Sequence, residues 1–425
     1  MFLEVLGGLN FLLFRKSNSF FKIQFDVNEI NFIMVKLIGI LLIIVVLGCT
    51  NQNQNQPKPD LTSQISAQME YAVQLANSLK DSVLVSPRTV EDGKLKLVKS
   101  GDWTSGFFPG NLWMVYEITG DTKWKQVALD FTLPLAKEQW NGGTHDMGFK
   151  MFCSFGKAWQ FTGDSTYRDI LIQSAQTLAT RFNPAVGCIR SWDHNTDKWD
   201  FPVIIDNMMN LELLMWAAKE TGDENLKNIA VTHAQTTTKY HFRADNSSYH
   251  VIDYNPETGE VENKHTHQGY SHESAWARGQ AWGLYGYTMM FRETGMPEFL
   301  VQAEKIAEYI LNQPGIAEGK IPYWDFNAPN IPNEPYDASA GAIIAAALFE
   351  LAGYSTKAEQ YNNVAGKLLA TMSSADFLAQ VGENGGFLLK HSTGHLPHNS
   401  EIDVPIVYAD YYYLESILKQ KNMEK

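Results

Sequence analysis

A helical segment, a Thr-Gly-Asp turn and a second helical segment recur along this chain, and no other feature constrains its fold as much. The unit reads Trp113-Met-Val-Tyr-Glu-Ile-Thr-Gly-Asp-Thr-Lys-Trp124, then Ala158-Trp-Gln-Phe-Thr-Gly-Asp-Ser-Thr-Tyr167, then Ala217-Ala-Lys-Glu-Thr-Gly-Asp-Glu-Asn-Leu226. Looser copies stand at Phe291-Arg-Glu-Thr-Gly-Met296 and Phe349-Glu-Leu-Ala-Gly-Tyr354. Glycine ends one helix in a left-handed cap, and Asp or Ser starts the next by accepting from a free N–H. The spacing between copies is uneven, which disfavours a regular solenoid and puts the extra length in loops.

Within each unit the first helix is more apolar, or smaller in side chain, than the second. Ala338-Ser-Ala-Gly-Ala-Ile-Ile-Ala-Ala-Ala-Leu348 contrasts with Lys357-Ala-Glu-Gln-Tyr-Asn-Asn-Val-Ala-Gly366. A helix apolar all round is buried, whereas one with a single stripe faces water, so the pattern predicts an inner and an outer layer. Inner helices are expected from near Ser105, Met147, Asn207, Ser274, Ala338 and Val404, and outer ones from near Thr62, Asp121, Ser165, Asp223, Pro297 and Ser355. Twelve such helices in six hairpins predict an all-α (α/α)6 barrel, with room for short strands in the 240–265 loop. At 425 residues and 44% hydrophobic the chain can bury a core of that size.

The chain ahead of the barrel reads differently. Met34-Val-Lys-Leu-Ile-Gly-Ile-Leu-Leu-Ile-Ile-Val-Val-Leu-Gly-Cys49 has a basic start, a short apolar run and small residues before a cysteine, as in a bacterial lipoprotein signal. The run is shorter than the roughly 20 residues that span a bilayer. Residues 1–48 are therefore read as an upstream extension plus signal peptide, with Met34 a candidate start, and Cys49 as the lipidated residue. Residues 49–60, rich in Asn and Gln, read as a polar tether, and 61–425 as the catalytic domain. Such a chain is expected in the periplasm or at the cell surface, anchored to a membrane by lipid. Cys153 and Cys188 are expected to be buried free thiols, although an export compartment would permit a disulfide.

Each inner helix is entered through an acid: Asp102, Asp146, Asp206, Glu273, Asp337 and Asp403. Helix capping accounts for any one of them. Six at one rim predict a common cavity, and the neighbours of two single them out. Asp146 follows His145 at the start of one apolar helix, Asp206 holds the same place at another, and Trp103 and Trp192 in the preceding loops offer stacking walls. A second carboxylate and poor solvation raise an acid's pKa, which supplies a general acid beside an ionised partner. Arg278 and Trp282 share a helix face, and a buried Arg there needs an anion, either a ligand carboxylate or a rim acid. His265, His267 and His272 lie in one loop without a second ligand cluster, so no metal is assigned and no cofactor is implied. The net charge of −13 argues against nucleic acid as partner.

Five stretches in order, Ser105-Gly-Phe-Phe-Pro-Gly, His145-Asp-Met-Gly-Phe, Ile205-Asp-Asn-Met-Met-Asn, Gln268-Gly-Tyr through Trp276-Ala-Arg-Gly-Gln-Ala-Trp282, and Ala409-Asp-Tyr-Tyr-Tyr-Leu-Glu415, resemble the unsaturated glucuronyl hydrolases of glycoside hydrolase family 88. The likeness runs from about residue 62 to 418. It implies a six-hairpin α/α barrel. It also implies removal of the 4,5-unsaturated uronic acid that polysaccharide lyases leave on an oligosaccharide, by hydration of the C4=C5 enol ether. By this resemblance Asp206 is the general acid/base and Asp146 the second essential carboxylate. His250, Gln268, Arg278 and Trp282 match residues that hold the uronate, and Trp103 and Trp192 match aromatic walls. The loop Lys390-His-Ser-Thr-Gly-His-Leu-Pro-His398 matches a substrate-contacting region, in which Ser392, Thr393 and His395 are the candidates. The implied partner is an unsaturated uronate-terminated oligosaccharide derived from glycosaminoglycan or ulvan. The alternatives are an unsaturated rhamnogalacturonyl hydrolase acting on pectin fragments and a non-catalytic surface glycan-binding lipoprotein.

Overall fold

The structure, a computed structural model, describes residues 60–423 and the backbone of two strands further upstream. The chain divides into two units, Met1–Asp60 and Leu61–Lys425. In the first, the strands Asn10–Lys16 and Ser19–Phe25 pair antiparallel, with Asn10 opposite Phe25. Cys49, the apolar run before it and the polar tether after it lie outside the described residues.

The second unit holds twelve α-helices among its described residues. In chain order they are α1 (Leu61–Leu79), α2 (Phe107–Thr119), α3 (Lys123–Thr132), α4 (Lys157–Thr162), α5 (Ser165–Ala179), α6 (Leu211–Thr221), α7 (Glu224–Tyr240), α8 (Ala277–Thr294), α9 (Pro297–Leu311), α10 (Ala338–Ala352), α11 (Ala358–Met372) and α12 (Val407–Met423). The even-numbered helices are the inner ones. Two have special beginnings: a π-helical segment, Gly148–Gly156, runs into α4, and a 3-10 turn, Ile205–Asn210, runs into α6. The inner ring closes on itself, because α2 packs on the π segment, that segment on α6, α6 on α8, α8 on α10, α10 on α12, and α12 back on α2. The molecule is thus an (α/α)6 barrel.

Burial explains the layering. Helix α10 is buried from Ala338 to Phe349 without a break, whereas its outer partner α11 buries only Tyr361, Val364, Ala365, Leu368, Leu369 and Met372, one stripe at helical spacing. The Thr-Gly-Asp turns work as their chemistry requires. Gly120 takes φ 68° and its N–H reaches Tyr116 O; the Asp121 N–H is accepted by the Thr119 hydroxyl. Asp164 and Asp223 then cap α5 and α7 by accepting from the second N–H of each helix.

Besides a two-residue pairing of Phe182–Asn183 with Cys188–Ile189, strands add to this plan in two places. Within the 240–265 loop lie β4 (Val251–Tyr254) and β5 (Val261–His265), as expected, and β4 pairs on its other side with β3 (Pro202–Ile204). The second place is a hairpin of β1 (Leu84–Glu91) and β2 (Lys94–Lys99), which the helical reading did not include. Its signal is Asp92-Gly93, both at positive φ (51° and 73°), the two-residue turn that matches strand twist. Cys153 and Cys188 are free and buried, and burial raises both thiol pKa values far above the ordinary range.

Candidate active site

Two acids reach one cavity because two backbones approach closely. A Cβ on Gly148 would sit 2.7 Å from Asn210 Cα, so only glycine lets the π segment lie against the 3-10 turn. Phe149 N–H donates to Asn210 Oδ1 at 3.1 Å and fixes that contact. Asp146, two residues before Gly148, and Asp206, four before Asn210, then line the same cavity of about 80 Å³. Trp103, His145, Phe149, Trp192, Ile204, Gln268 and Arg278 complete its wall.

The small sheet supplies the rest of the setting. Ile204 at the end of β3 lies opposite Val251 at the start of β4, and Val251 lies opposite His265 at the end of β5. Asp206, His250 and the 266–268 turn therefore emerge from one edge. The N–H groups of His267 and Gln268 both donate to His250 Nδ1, at 3.1 Å each. A ring nitrogen that accepts cannot carry the proton, so the neutral imidazole holds it on Nε2, which stands 3.7 Å from Asp206 Oδ2. Burial pushes the His250 pKa well down, with the neighbouring histidines adding to the effect, and keeps it neutral.

Asp206 is 8% exposed, and its Oδ2 is buried without a hydrogen-bond partner. Burial raises its pKa to about 7; the positive charge of Arg278 opposes the rise, and the negative charge of Asp146 adds to it. The Trp282 indole N–H has no acceptor in bonding geometry but is close enough to favour the charged form slightly. Asp146 is more open and better held. Thr144 Oγ1 donates to its Oδ2 at 2.8 Å, and His145 Nε2 lies 3.2 Å from its Oδ1. One acid is thus shielded and protonatable near neutrality beside a second that is hydrogen-bonded.

Of the other four rim acids, three are paired or cap a helix and one is solvated. Asp337 caps α10 by accepting from Ser339 and Ala340 N–H. Asp102 accepts from Thr104 N–H and hydroxyl and pairs with Arg88 at 2.9 Å. Asp403 meets His391 Nδ1 at 2.6 Å, and Glu273 is largely in solvent.

With His145 counted beside Asp146 and Ser392 taken for the C-terminal loop, ten residues are read as catalytic or substrate-binding, and seven line the cavity: Asp206, Asp146, Trp103, His145, Trp192, Gln268 and Arg278. Arg278 differs from a free anion reader. Its Nη1 donates to Asp337 and to Thr393 O (2.7 Å), and its Nη2 donates to Gly394 O (2.5 Å), so a rim acid and the C-terminal loop already hold it. Of its five N–H groups, the Nε–H and one on Nη2 take part in none of these bonds. The other three stand back from the wall. Trp282 is fully buried behind Asp206, with Phe149 at 5.0 Å and Tyr412 at 5.2 Å between ring centres. His250 supports Asp206 from behind, and Ser392 is fully buried and bridges by backbone to Val404. Sequence reasoning left open whether a rim acid meets Arg278, which Asp337 does, and it missed Phe149 and Ile204 as walls and Thr144, whose place two residues before an acid was the available signal.

Comparison with known proteins agrees with this geometry. The model of Glycosyl Hydrolase Family 88 matches residues 76–423. The unsaturated glucuronyl hydrolase of Formosa agariphila is 48% identical over 373 residues, covering 88% of this chain and 92% of that protein. The unsaturated glucuronyl hydrolase of Bacillus sp. (strain GL1) is 33% identical over 341 residues, 78% of this chain and 89% of its own. The crystal structure of an unsaturated glucuronyl hydrolase specific for heparin superposes with a TM-score of 0.82 at 48% identity, over 85% of this chain and 96% of that one. The chain therefore belongs to glycosyl hydrolase family 88 and is an enzyme, a glycoside hydrolase.

Proposed function

We propose that the chain removes the 4,5-unsaturated uronic acid from the non-reducing end of lyase-generated oligosaccharides by hydrating the C4=C5 enol ether. The observation that carries this reading is Asp206: a shielded carboxyl protonated up to about pH 7 beside a second acid, in an aromatic-walled cavity. Asp206 gives its proton to C4, and the positive charge that develops falls on C5 and the ring oxygen. Water adds to C5 as the Asp206 carboxylate takes a proton back, so one water is consumed and the acid is restored. The hemiketal opens, and C1 releases the remaining sugar. His250 Nε2–H, 3.7 Å from Asp206 Oδ2, favours the carboxylate that Asp206 becomes, and Asp146 orients the water or the ring hydroxyls. Trp103 and Trp192 stack on the ring, while Gln268 and the remaining N–H groups of Arg278 take the uronate carboxylate.

The substrate class is glycosaminoglycan- or ulvan-derived. Incubation with the unsaturated disaccharides of chondroitin, hyaluronan, heparin and ulvan, followed by ultraviolet absorbance of the conjugated uronate, tests it. Absorbance is expected to fall with at least one. Loss with none sinks this substrate class, and loss with a pectin disaccharide alone moves the substrate to rhamnogalacturonan.

Cys49 is the lipid-bearing residue in this reading, and the enzyme works outside the cytoplasm at a membrane. The support is the leader sequence and the Asn/Gln-rich stretch after it. Labelled fatty acid is expected in the wild type and absent from Cys49→Ala; equal labelling, or none, counts against the anchor.

A further inference from the structure

His265, His267 and His272 share one loop, but the structure divides them. His265 and His272 pack on each other at a tilt with ring centres 4.5 Å apart, whereas His267 turns toward the C-terminal loop and meets His395 at 4.7 Å and His398 at 4.9 Å. The second ligand cluster that the sequence lacked is thus supplied from more than a hundred residues away.

We propose that His267, His395 and His398 form a binding site for a divalent transition-metal ion of the zinc class. One nitrogen from each of the three rings can be chosen so that all lie within 4.8 Å of one another. Four-coordinate zinc with Zn–N bonds of about 2.0–2.1 Å sets its ligand nitrogens roughly 3.3 Å apart, so the rings need close by no more than roughly 1.5 Å per pair. The His395 and His398 rings lie stacked with centres 3.9 Å apart, so binding also turns one ring, and His398, which is exposed while the other two are half-buried, is the one with room to turn.

The hydrogen bonds favour the same reading. His395 Nε2 lies 2.9 Å from the His267 carbonyl oxygen, which can only accept, so Nε2 carries the proton and Nδ1 keeps its lone pair. That is the backbone support that orients metal-bound imidazoles. Among the described residues no hydrogen bond takes a ring nitrogen of His267 or His398. Three imidazoles with no carboxylate suit zinc, cobalt, nickel or copper rather than calcium or magnesium, which take oxygen ligands. A fourth position stays open to water.

The place of the site gives it a role. His267 belongs to the turn whose N–H groups hold His250, and the C-terminal loop holds Arg278 through Thr393 and Gly394. Gln268 Nε2 already links the two loops through Gly394 O at 3.1 Å. A metal here fastens the two loops that position His250 behind Asp206 and Arg278 at the cavity wall, beside Trp192, whose ring centre is 5.2 Å from that of His267.

Tag-free full-length protein, stripped with chelator and titrated with Co²⁺, tests the site by visible absorption and calorimetry. One ion per chain with the intense bands of four-coordinate cobalt is expected, displaced by Zn²⁺, together with a higher thermal midpoint. Affinity is expected to fall in His398→Ala and His267→Ala by more than the roughly 10–100-fold that loss of a mere supporting partner costs. His265→Ala and His272→Ala are expected to bind as the wild type does. His398 is exposed, so its replacement leaves the metal-free thermal midpoint unchanged and separates lost binding from lost fold. No saturable binding, or binding that survives His398→Ala, or binding lost with His265 and His272 instead, overturns the proposal.

Discussion

Two cavities of the barrel contrast, and the larger of the two lies away from Asp146 and Asp206. It holds about 540 Å³ and is lined by residues from the far parts of the inner helices, including Glu212, Arg292, Glu293, Glu350 and Lys419. There charge is mostly answered by charge. Arg292 donates to Glu293 and Glu350 at 2.8 Å each and to Glu212, while Lys419 reaches Glu350 at 2.6 Å and Lys219 reaches Glu293 at 2.5 Å. Only Glu415 keeps a buried carboxylate oxygen without a partner. In the smaller cavity Asp206 keeps one too, but beside a second acid and two tryptophans. Phe149 lines both cavities and is the partition between them. Paired acids hold a structure together, whereas an acid left protonatable next to open space can exchange a proton with a ligand.

Asp206→Asn breaks the comparison hardest. It keeps shape and removes the titrating proton, so kcat is expected to fall more than the roughly 100-fold minimum of general acid catalysis, read from uronate absorbance. The same change is expected to stabilise the protein at pH 8. The folded-state pKa of Asp206, about 7, lies above the usual carboxylate value, so the folded state binds more protons and stability falls as pH rises from about 4 to about 7. Asparagine escapes that cost, worth about 1–4 kcal/mol. A mutant that keeps most of its activity, or melts earlier than the wild type at pH 8, contradicts the assignment.

Asp146→Asn is the next largest effect. Turnover is expected to fall by about 100-fold or more, since the pair acts as a unit. The pH profile of the residual activity carries the sharper information. The wild type needs Asp206 protonated, so its rate falls as pH rises through about 7; removing the charge that raises this pKa moves that limb to lower pH. An unmoved limb means that Asp146 acts on substrate alone.

Much of this was legible in the sequence for specific reasons. The Thr-Gly-Asp turns carry their own geometry, and a run such as Ala338–Leu348 can only be interior, so the barrel followed from local chemistry. Asp146 and Asp206 were legible as a pair through their like positions and through the family likeness. What escaped depends on contacts between distant segments. Nothing local says that Asp337 rather than a ligand meets Arg278, since the two are 59 positions apart, and nothing in the 265–272 loop shows that His395 and His398 come to it. Trp282 shares its helix face with Arg278, but that face meets the back of Asp206 at one residue and the cavity at the other.

Arg292→Met tests the other half of the comparison. It leaves Glu212, Glu293 and Glu350 without their shared cation, and such loss from a buried pair costs several kcal/mol. The guanidinium is partly exposed, side chain 30%, so roughly 2–4 kcal/mol is expected in denaturant unfolding. KM and kcat of the folded enzyme are expected to hold within about twofold, because Phe149 separates this network from Asp206. A loss of kcat at unchanged stability means that the large cavity takes part in the reaction.

Glu273→Gln is the smallest effect and the most direct check on how the six acids were sorted. By sequence Glu273 stands before an inner helix just as Asp206 does, five residues ahead of Arg278. Its side chain, however, is 79% exposed, and its nearest cation, Arg243, lies 3.6 Å away at the surface. Water already solvates both states of such a carboxyl, so removing its charge changes little, and an exposed pair is worth about 0–1 kcal/mol at most. Arg243 keeps its place without it, through Ser248 O at 3.1 Å and His272 O at 2.7 Å. Turnover within about twofold of wild type and unfolding within about 0.5 kcal/mol are therefore expected. A tenfold loss of kcat/KM would mean that the substrate reaches out over the rim to Glu273, and that position before an inner helix, rather than burial and pairing, decides which acids act.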